Sequence, residues 1–148
     1  MYALRENYLE SEVLAASPVG LIRLLYRGAL DAVRAARACL HARDIAGRSR
    51  QIAKASRIVV ELTASLDHAK GGEISRTLAE LYDYMQRRLN DANFQQVEAP
   101  LVEVEGLLST VLEAWDAVSG TEAEAPVVAH TYAQSTAAES YQAFSYSY

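Results

Sequence analysis

Between Pro18 and Val118 the apolar residues return every three or four positions, in four separate runs. That step matches a helix with one apolar face, because 3.6 residues make a turn. The first run, "SPVGLIRLLYRGALDAVRAARACL", aligns Ile22, Leu25, Tyr26, Ala29, Val33, Ala36 and Leu40. The second aligns Ile45, Ile52, Ala55, Val59, Leu62 and Leu66. In the third, Ile74, Leu78, Leu81, Met85, Leu89 and Ala92 form the stripe, with Tyr82 at its edge. The fourth carries Leu101, Val104, Leu108, Val111, Trp115 and Val118. No segment alternates with the period of two that a half-buried strand needs. Alternating three- and four-residue steps are the seam of a helical bundle.

Punctuation between the runs agrees. Ser17 can cap the first helix with Pro18 at its first position, where a missing N–H costs nothing. Asp44 can cap the second. Gly71-Gly72 break the chain before the third helix, which leaves His68 in a loop. Pro100 opens the fourth and Gly120 is placed to stop it. The links are short, so neighbours run antiparallel. The pattern predicts an all-α, antiparallel four-helix bundle over residues 17–118. A short, mobile N-terminal segment, 1–16, precedes it and an Ala/Ser/Tyr-rich tail, 119–148, follows. The tail holds Glu122, Glu124 and Glu139 but no lysine or arginine, and shows no sustained period. Such a composition reads as disordered or loosely docked.

Composition narrows the class. The 148 residues suit one domain, and 51% apolar with 22% charged residues is an ordinary soluble balance. A formal net charge of -5 argues against nonspecific nucleic-acid binding. The single cysteine, Cys39, excludes an intramolecular disulfide and points to a reduced compartment. No run reaches the ~18 apolar residues of a membrane span. The opening "MYALRENYLESEV" mixes acids with apolar residues, unlike a secretory signal. The expectation is a cytoplasmic protein without membrane insertion.

Candidate chemistry is sparse. The histidines are His41, His68 and His130, and none stands in a Glu-x-x-His or His-Glu-x-x-His motif. Neither Cys-x-x-Cys nor a phosphate or calcium loop occurs, so no metal or cofactor is expected. Glu103 and Glu105 lie ~200° apart on a helix and do not face one substrate. Cys39 reads as a small buried hydrophobe. The chain does not read as an enzyme. One segment, "RDIAGRSRQIAKASR", is basic. Its Arg50, Lys54 and Arg57 share the face away from the stripe, either as a solvated surface or as a contact for an acidic partner. Without interleaved aromatics, nucleic acid is disfavoured.

More informative is the apolar surface that the seams do not use. Leu21 and Leu24 point away from the first stripe, and a helix apolar on all sides must be covered on all sides. Ile58 and Val60 flank the second stripe, and Leu107 and Leu112 edge the fourth. The N-terminal segment, with Tyr2, Leu4, Tyr8, Leu9, Val13 and Leu14, is the nearest cover. Two readings stay open: a structural bundle that homodimerises through this surface, or grooves for an apolar partner segment. In "LYDYMQRRLNDAN" the pairs Asp83–Arg87, Arg87–Asp91 and Arg88–Asp91 are helix-surface ion pairs. Tyr84, ~100° from the seam, forms an amphipathic patch with Arg88.

These pieces together resemble the FliS family of flagellin-specific export chaperones. The resemblance runs over residues 1–118 through "MYALRENYLESEV", "ASPVGLIRLLYRGAL", "KASRIVVELTASLD", "GGEISRTLAELYDYMQRRLNDAN" and "VEVEGLLSTVLEAW". It implies an antiparallel four-helix bundle with a mobile N-terminal cap, and neither enzymatic activity nor a nucleotide. It implies a cytosolic chaperone that holds the disordered C-terminal segment of flagellin in apolar grooves, prevents premature polymerisation and presents flagellin to an export-gate component. An accessory flagellar regulator or co-chaperone is a further implied partner. By position, Tyr2, Tyr8 and Val13 match the cap, and Tyr82, Tyr84, Arg87, Arg88 and Asn93 match the third-helix signature. The client surface is expected at Tyr8, Leu21, Leu24, Ile58, Leu62, Tyr84, Leu107 and Leu112. Arg87 and Arg88 could instead tie the third helix to a neighbour. The chain departs from the family in "FQQVEAP", which lacks the acid that often follows the asparagine, leaving Pro100 to start the fourth helix. It also departs in its longer tail, read as an appendix or as a segment that docks on the client surface or on an accessory partner.

Overall fold

A computed structural model describes residues 18–118 as four helices: α1 (Pro18–His41), α2 (Ile45–Ala64), α3 (His68–Gln95) and α4 (Ala99–Val118). The expected Ser17 cap, the Gly120 stop, the 1–16 segment and the 119–148 tail lie outside the described residues. α1 packs against α2 and α4, and α3 packs against the same two, closing a four-membered ring. Each helix runs antiparallel to its neighbours, as the short links require.

Local chemistry sets the ends. Asp44 caps α2 as expected, its Oδ1 accepting the Gly47 amide at 2.9 Å. The turn before it needs Arg43 at a φ of 59°. Asp67 caps α3 by accepting the amides of Ala69 (3.0 Å) and Lys70 (3.1 Å). His68 therefore begins a helical turn rather than lying in a loop. Gly72, at a φ of +54°, leaves helical geometry: the short first turn, 68–71, and the long helix beyond it meet at a kink there, which is the break that Gly71-Gly72 were expected to make. Gln96, left-handed at a φ of 57°, closes α3 with its amide on the Ala92 carbonyl. α4 starts one residue before Pro100. The Glu98 carbonyl accepts the amides of Leu101 (2.9 Å) and Val102 (3.1 Å), so Pro100 shares that start with a backbone turn.

The core follows the predicted stripes with three shifts. α1 contributes Ile22, Leu25, Tyr26, Ala29, Val33 and Ala36, and α4 contributes Leu101, Val104, Leu108 and Trp115. On α3, Tyr82 sits at the centre of the buried face with Met85, Leu89 and Ala92, not at its edge. Leu78 and Leu81 are half-buried, and Ile74 is 53% exposed. At 100° per residue the buried Ser75, Tyr82, Met85, Leu89 and Ala92 centre the inward face about 50° away from Ile74, which therefore lies on its flank. Ile45, expected in the α2 stripe, is exposed because it is the first residue of that helix, at the end of the bundle.

Candidate functional site

The stretch around Tyr82 is chiefly a fastening. The Tyr82 and Tyr26 hydroxyls share a hydrogen bond, and both side chains are fully buried. Burial pushes the Tyr26 hydroxyl up to about 12, opposed by its hydrogen bond to Tyr82 and by the nearby Trp115 indole. Trp115 Nε1 makes no hydrogen bond of ordinary geometry. Its closeness to Tyr26 is a polar contact, not a bond. Asn93 Oδ1 accepts from Ser49 Oγ (3.2 Å) and Arg48 Nε (3.4 Å), joining α3 to α2. Arg48 is 5% exposed, so this member of the basic segment turns inward. Arg88 Nε donates to Glu103 of α4 at 3.1 Å and Nη1 to Asp91 at 3.2 Å. Arg88 thus ties α3 to α4. Arg87 stays on the surface, 3.6 Å from Asp83, with its guanidinium 5.8 Å from the Tyr84 ring centre.

Tyr84 stands between fastening and surface. It is 37% exposed, and its hydroxyl donates to Glu103. That hydrogen bond raises the Tyr84 hydroxyl above its usual range. On the opposite flank of α4, Glu105 meets Arg34 at 3.4 Å and Arg37 at 3.1 Å. The two carboxylates face different helices, as their angular separation requires. The α1–α4 seam is a ladder of such pairs. Arg23–Asp116 (2.5 Å) stands at one end, and Arg37–Glu98 (2.7 Å) and His41–Glu98 (2.9 Å) at the other. The Arg37 hydrogen bond, then that of His41, holds the Glu98 carboxyl below its ordinary range.

The residues expected on the client surface separate into four groups. Tyr8, with Tyr2 and Val13, lies outside the described residues. Ile58 and Leu62 are core, not surface. Ile58 Cδ1 reaches within 3.3 Å of the place a Cβ would take on Gly28, so α1 fills the flank that helical arithmetic leaves open. Leu62 is a stripe residue and stays one. Leu21 and Leu24 are buried without joining the core cluster. Tyr84, Leu107 and Leu112 remain at the surface or half-buried beside it.

The concavities are shallow. One, about 390 Å³, lies between α1 and α4 and is lined by Arg27, Leu30, Arg34, Leu112 and Asp116, among others. Another, about 540 Å³, opens near Arg37, His41 and Glu105. A third, about 270 Å³, lies on α2 among Ser56, Arg57, Val60 and Glu61. Stripe reasoning missed the exposed Phe94 (88%), Val97 and Val102. Counting from Tyr82 at 100° per residue would have put Phe94 on the outward face. Among the described residues no group of three or more His, Cys, Asp or Glu could hold a metal. No described helix is long and apolar enough to cross a membrane. Cys39 is only half-buried.

Comparison with known proteins fits this arrangement. A family model described as flagellar protein FliS matches residues 1–122. The flagellar secretion chaperone FliS of Salmonella typhimurium is 46% identical over 112 residues, covering 75% of this chain and 83% of that protein. The flagellar secretion chaperone FliSB of Pseudomonas aeruginosa is 37% identical, covering 75% and 88%. The Bacillus subtilis FliS is 33% identical, covering 73% and 80%.

Proposed function

This chain belongs to the FliS family of flagellar secretion chaperones, and we propose that it binds the disordered C-terminal segment of flagellin. In the cytosol it holds that segment, prevents premature polymerisation and delivers flagellin to an export-gate component. The observation that carries this reading is the exposed apolar set, Ile74, Tyr84, Phe94, Val97 and Val102, which runs along α3, the link after it and the start of α4. A deep pocket suits a small ligand. A long segment that folds on binding needs a wide, shallow surface, because its ordering entropy must be offset over a large area.

On this reading Tyr84, Leu107 and Leu112 contact the client directly. Leu21 and Leu24 become available only when what covers them moves. Ile58 and Leu62 support the surface from beneath.

Mixing the chain with flagellin, intact and lacking its C-terminal segment, tests the proposal. A one-to-one complex that depends on that segment is expected. No complex, together with a stable homodimer, would favour the structural bundle instead. Tyr84→Ala, which removes a surface ring, should fold normally and weaken flagellin binding about tenfold, the ~1.4 kcal/mol scale of one lost aromatic contact. Unchanged affinity would take Tyr84 off the surface.

A further inference from the structure

The outward face of α2 has the chemistry to receive another segment. Arg50, Arg57 and Val60 are exposed there, with Val60 at 56%. Val60 and Arg57 line a largely apolar concavity of about 270 Å³ that Glu61 borders. The face therefore combines an apolar seat with an excess of positive charge.

We propose that residues 119–148 of this same chain dock on that face around Val60. The tail has the complementary composition. It carries Glu122, Glu124 and Glu139, no lysine or arginine, and aromatic rings from Tyr132 to Tyr148. Tyrosine and phenylalanine rings fill shallow apolar seats and stack on guanidinium groups, and the carboxylates suit the arginines. Where the tail starts also fits. It leaves α4 after Val118, at the end of the bundle where Asp116 meets Arg23 near the start of α1. α2 finishes at that same end, so Val60 lies about one turn from it. α2 stands diagonally across the ring from α4. At neighbour spacings of 8–10 Å the diagonal is on the order of 15 Å. The 30 residues of 119–148 span that distance with slack. The other segment leaving this end, 1–17, has its own acids, Glu6, Glu10 and Glu12, but also Arg5 and only the rings of Tyr2 and Tyr8, so it matches the face less well. The docking does not depend on the identity of any client.

Limited chymotrypsin digestion of the full chain, read by mass spectrometry, tests it. Cleavage after Tyr132, Tyr141 and Phe144 reports the tail, and cleavage after Tyr2 and Tyr8 reports the other end. In Arg50→Glu/Arg57→Glu and in Val60→Glu, tail cleavage should speed up five- to tenfold, while Phe94→Glu leaves it unchanged. Every substituted position is exposed, so helicity should be retained. The double arginine variant keeps the test valid should Val60→Glu weaken α2. Wild-type protection should not change on tenfold dilution. Equal tail cleavage in all variants would overturn the proposal. So would acceleration only at Tyr2 and Tyr8, which would assign the face to the N-terminal segment. Protection lost on dilution would also overturn it, because a second copy would then be the occupant.

Discussion

The hydroxyl of Tyr26 on α1 meets the hydroxyl of Tyr82 on α3 inside the bundle, with both rings out of water. The ring centres are 6.4 Å apart and tilted by 50°. This bond joins two helices that are not neighbours in the ring, and so fixes the diagonal. Tyr82→Phe leaves the Tyr26 hydroxyl buried without that partner, at an expected cost of about 1–3 kcal/mol. Tyr26→Phe/Tyr82→Phe removes both polar groups and should cost less than the sum of the single changes. Urea unfolding of the two single variants and the double variant measures the coupling. Strict additivity would show that the bond contributes nothing.

The Glu98 carboxyl is held below its ordinary value of 4.5 by Arg37 and His41. The folded state therefore binds the Glu98 proton less tightly than the unfolded chain does. The contribution is fully present above the ordinary carboxylate range and is lost as pH falls through the lowered value. Glu98→Gln should be less stable than wild type at pH 7, and the gap should close on acidification below about pH 4.5. Denaturation at pH 7 and at pH 3 reads the difference. A gap constant with pH would rule out this linkage.

Two glycines should respond in opposite directions. A Cβ on Gly47 would lie 2.2 Å from Asp44 Oδ2 and 2.9 Å from Cys39 Sγ. Gly47→Ala must displace the α2 cap, at an expected cost of about 1–2 kcal/mol. A Cβ on Gly106 meets nothing within 4 Å, in an exposed stretch of α4. Gly106→Ala should stabilise by about 0.5–1 kcal/mol through helix propensity. Thermal melts of the pair give the signs directly.

Asn93 anchors the α2–α3 pair at the loop end of α3. Asn93→Ala removes the acceptor of Ser49 Oγ and Arg48 Nε and leaves Arg48 with the Asn93 carbonyl at 3.5 Å. The loss of a partner for a buried guanidinium should cost about 1–3 kcal/mol. Arg48→Met/Asn93→Ala should recover part of it, since the charge is then gone. Chemical denaturation of both variants tests this; a double variant no better than Asn93→Ala would exclude a buried-charge penalty.

Much of this molecule is legible in its sequence because helical periodicity is a local property. The four stripes, the Asp44 cap and the pairs Asp83–Arg87 and Arg88–Asp91 all rest on residues within one or two turns of each other. The separation of Glu103 from Glu105 is likewise local geometry. The family is legible too, because "LYDYMQRRLNDAN" combines core, fastening and surface residues in a specific order.

What the sequence by itself determined is the number of helices, their order, most of their inward faces and the family they belong to. The tertiary structure decided which neighbour each remaining side chain meets. Tyr82 is central because Tyr26 of α1 faces it, and Ile58 is core because α1 is thin at Gly28. Arg48 turns inward because Asn93 and Ser49 stand together. Arg88 fastens while Arg87 does not, because Glu103 lies beside only one of them. Each of these choices depends on residues far apart in the chain, 15 positions for Arg88 and Glu103 and 56 for the two tyrosines. Helical spacing gives the angle at which a side chain leaves its helix. Only packing brings up the partner, and the partner decides whether that side chain is core, fastening or surface.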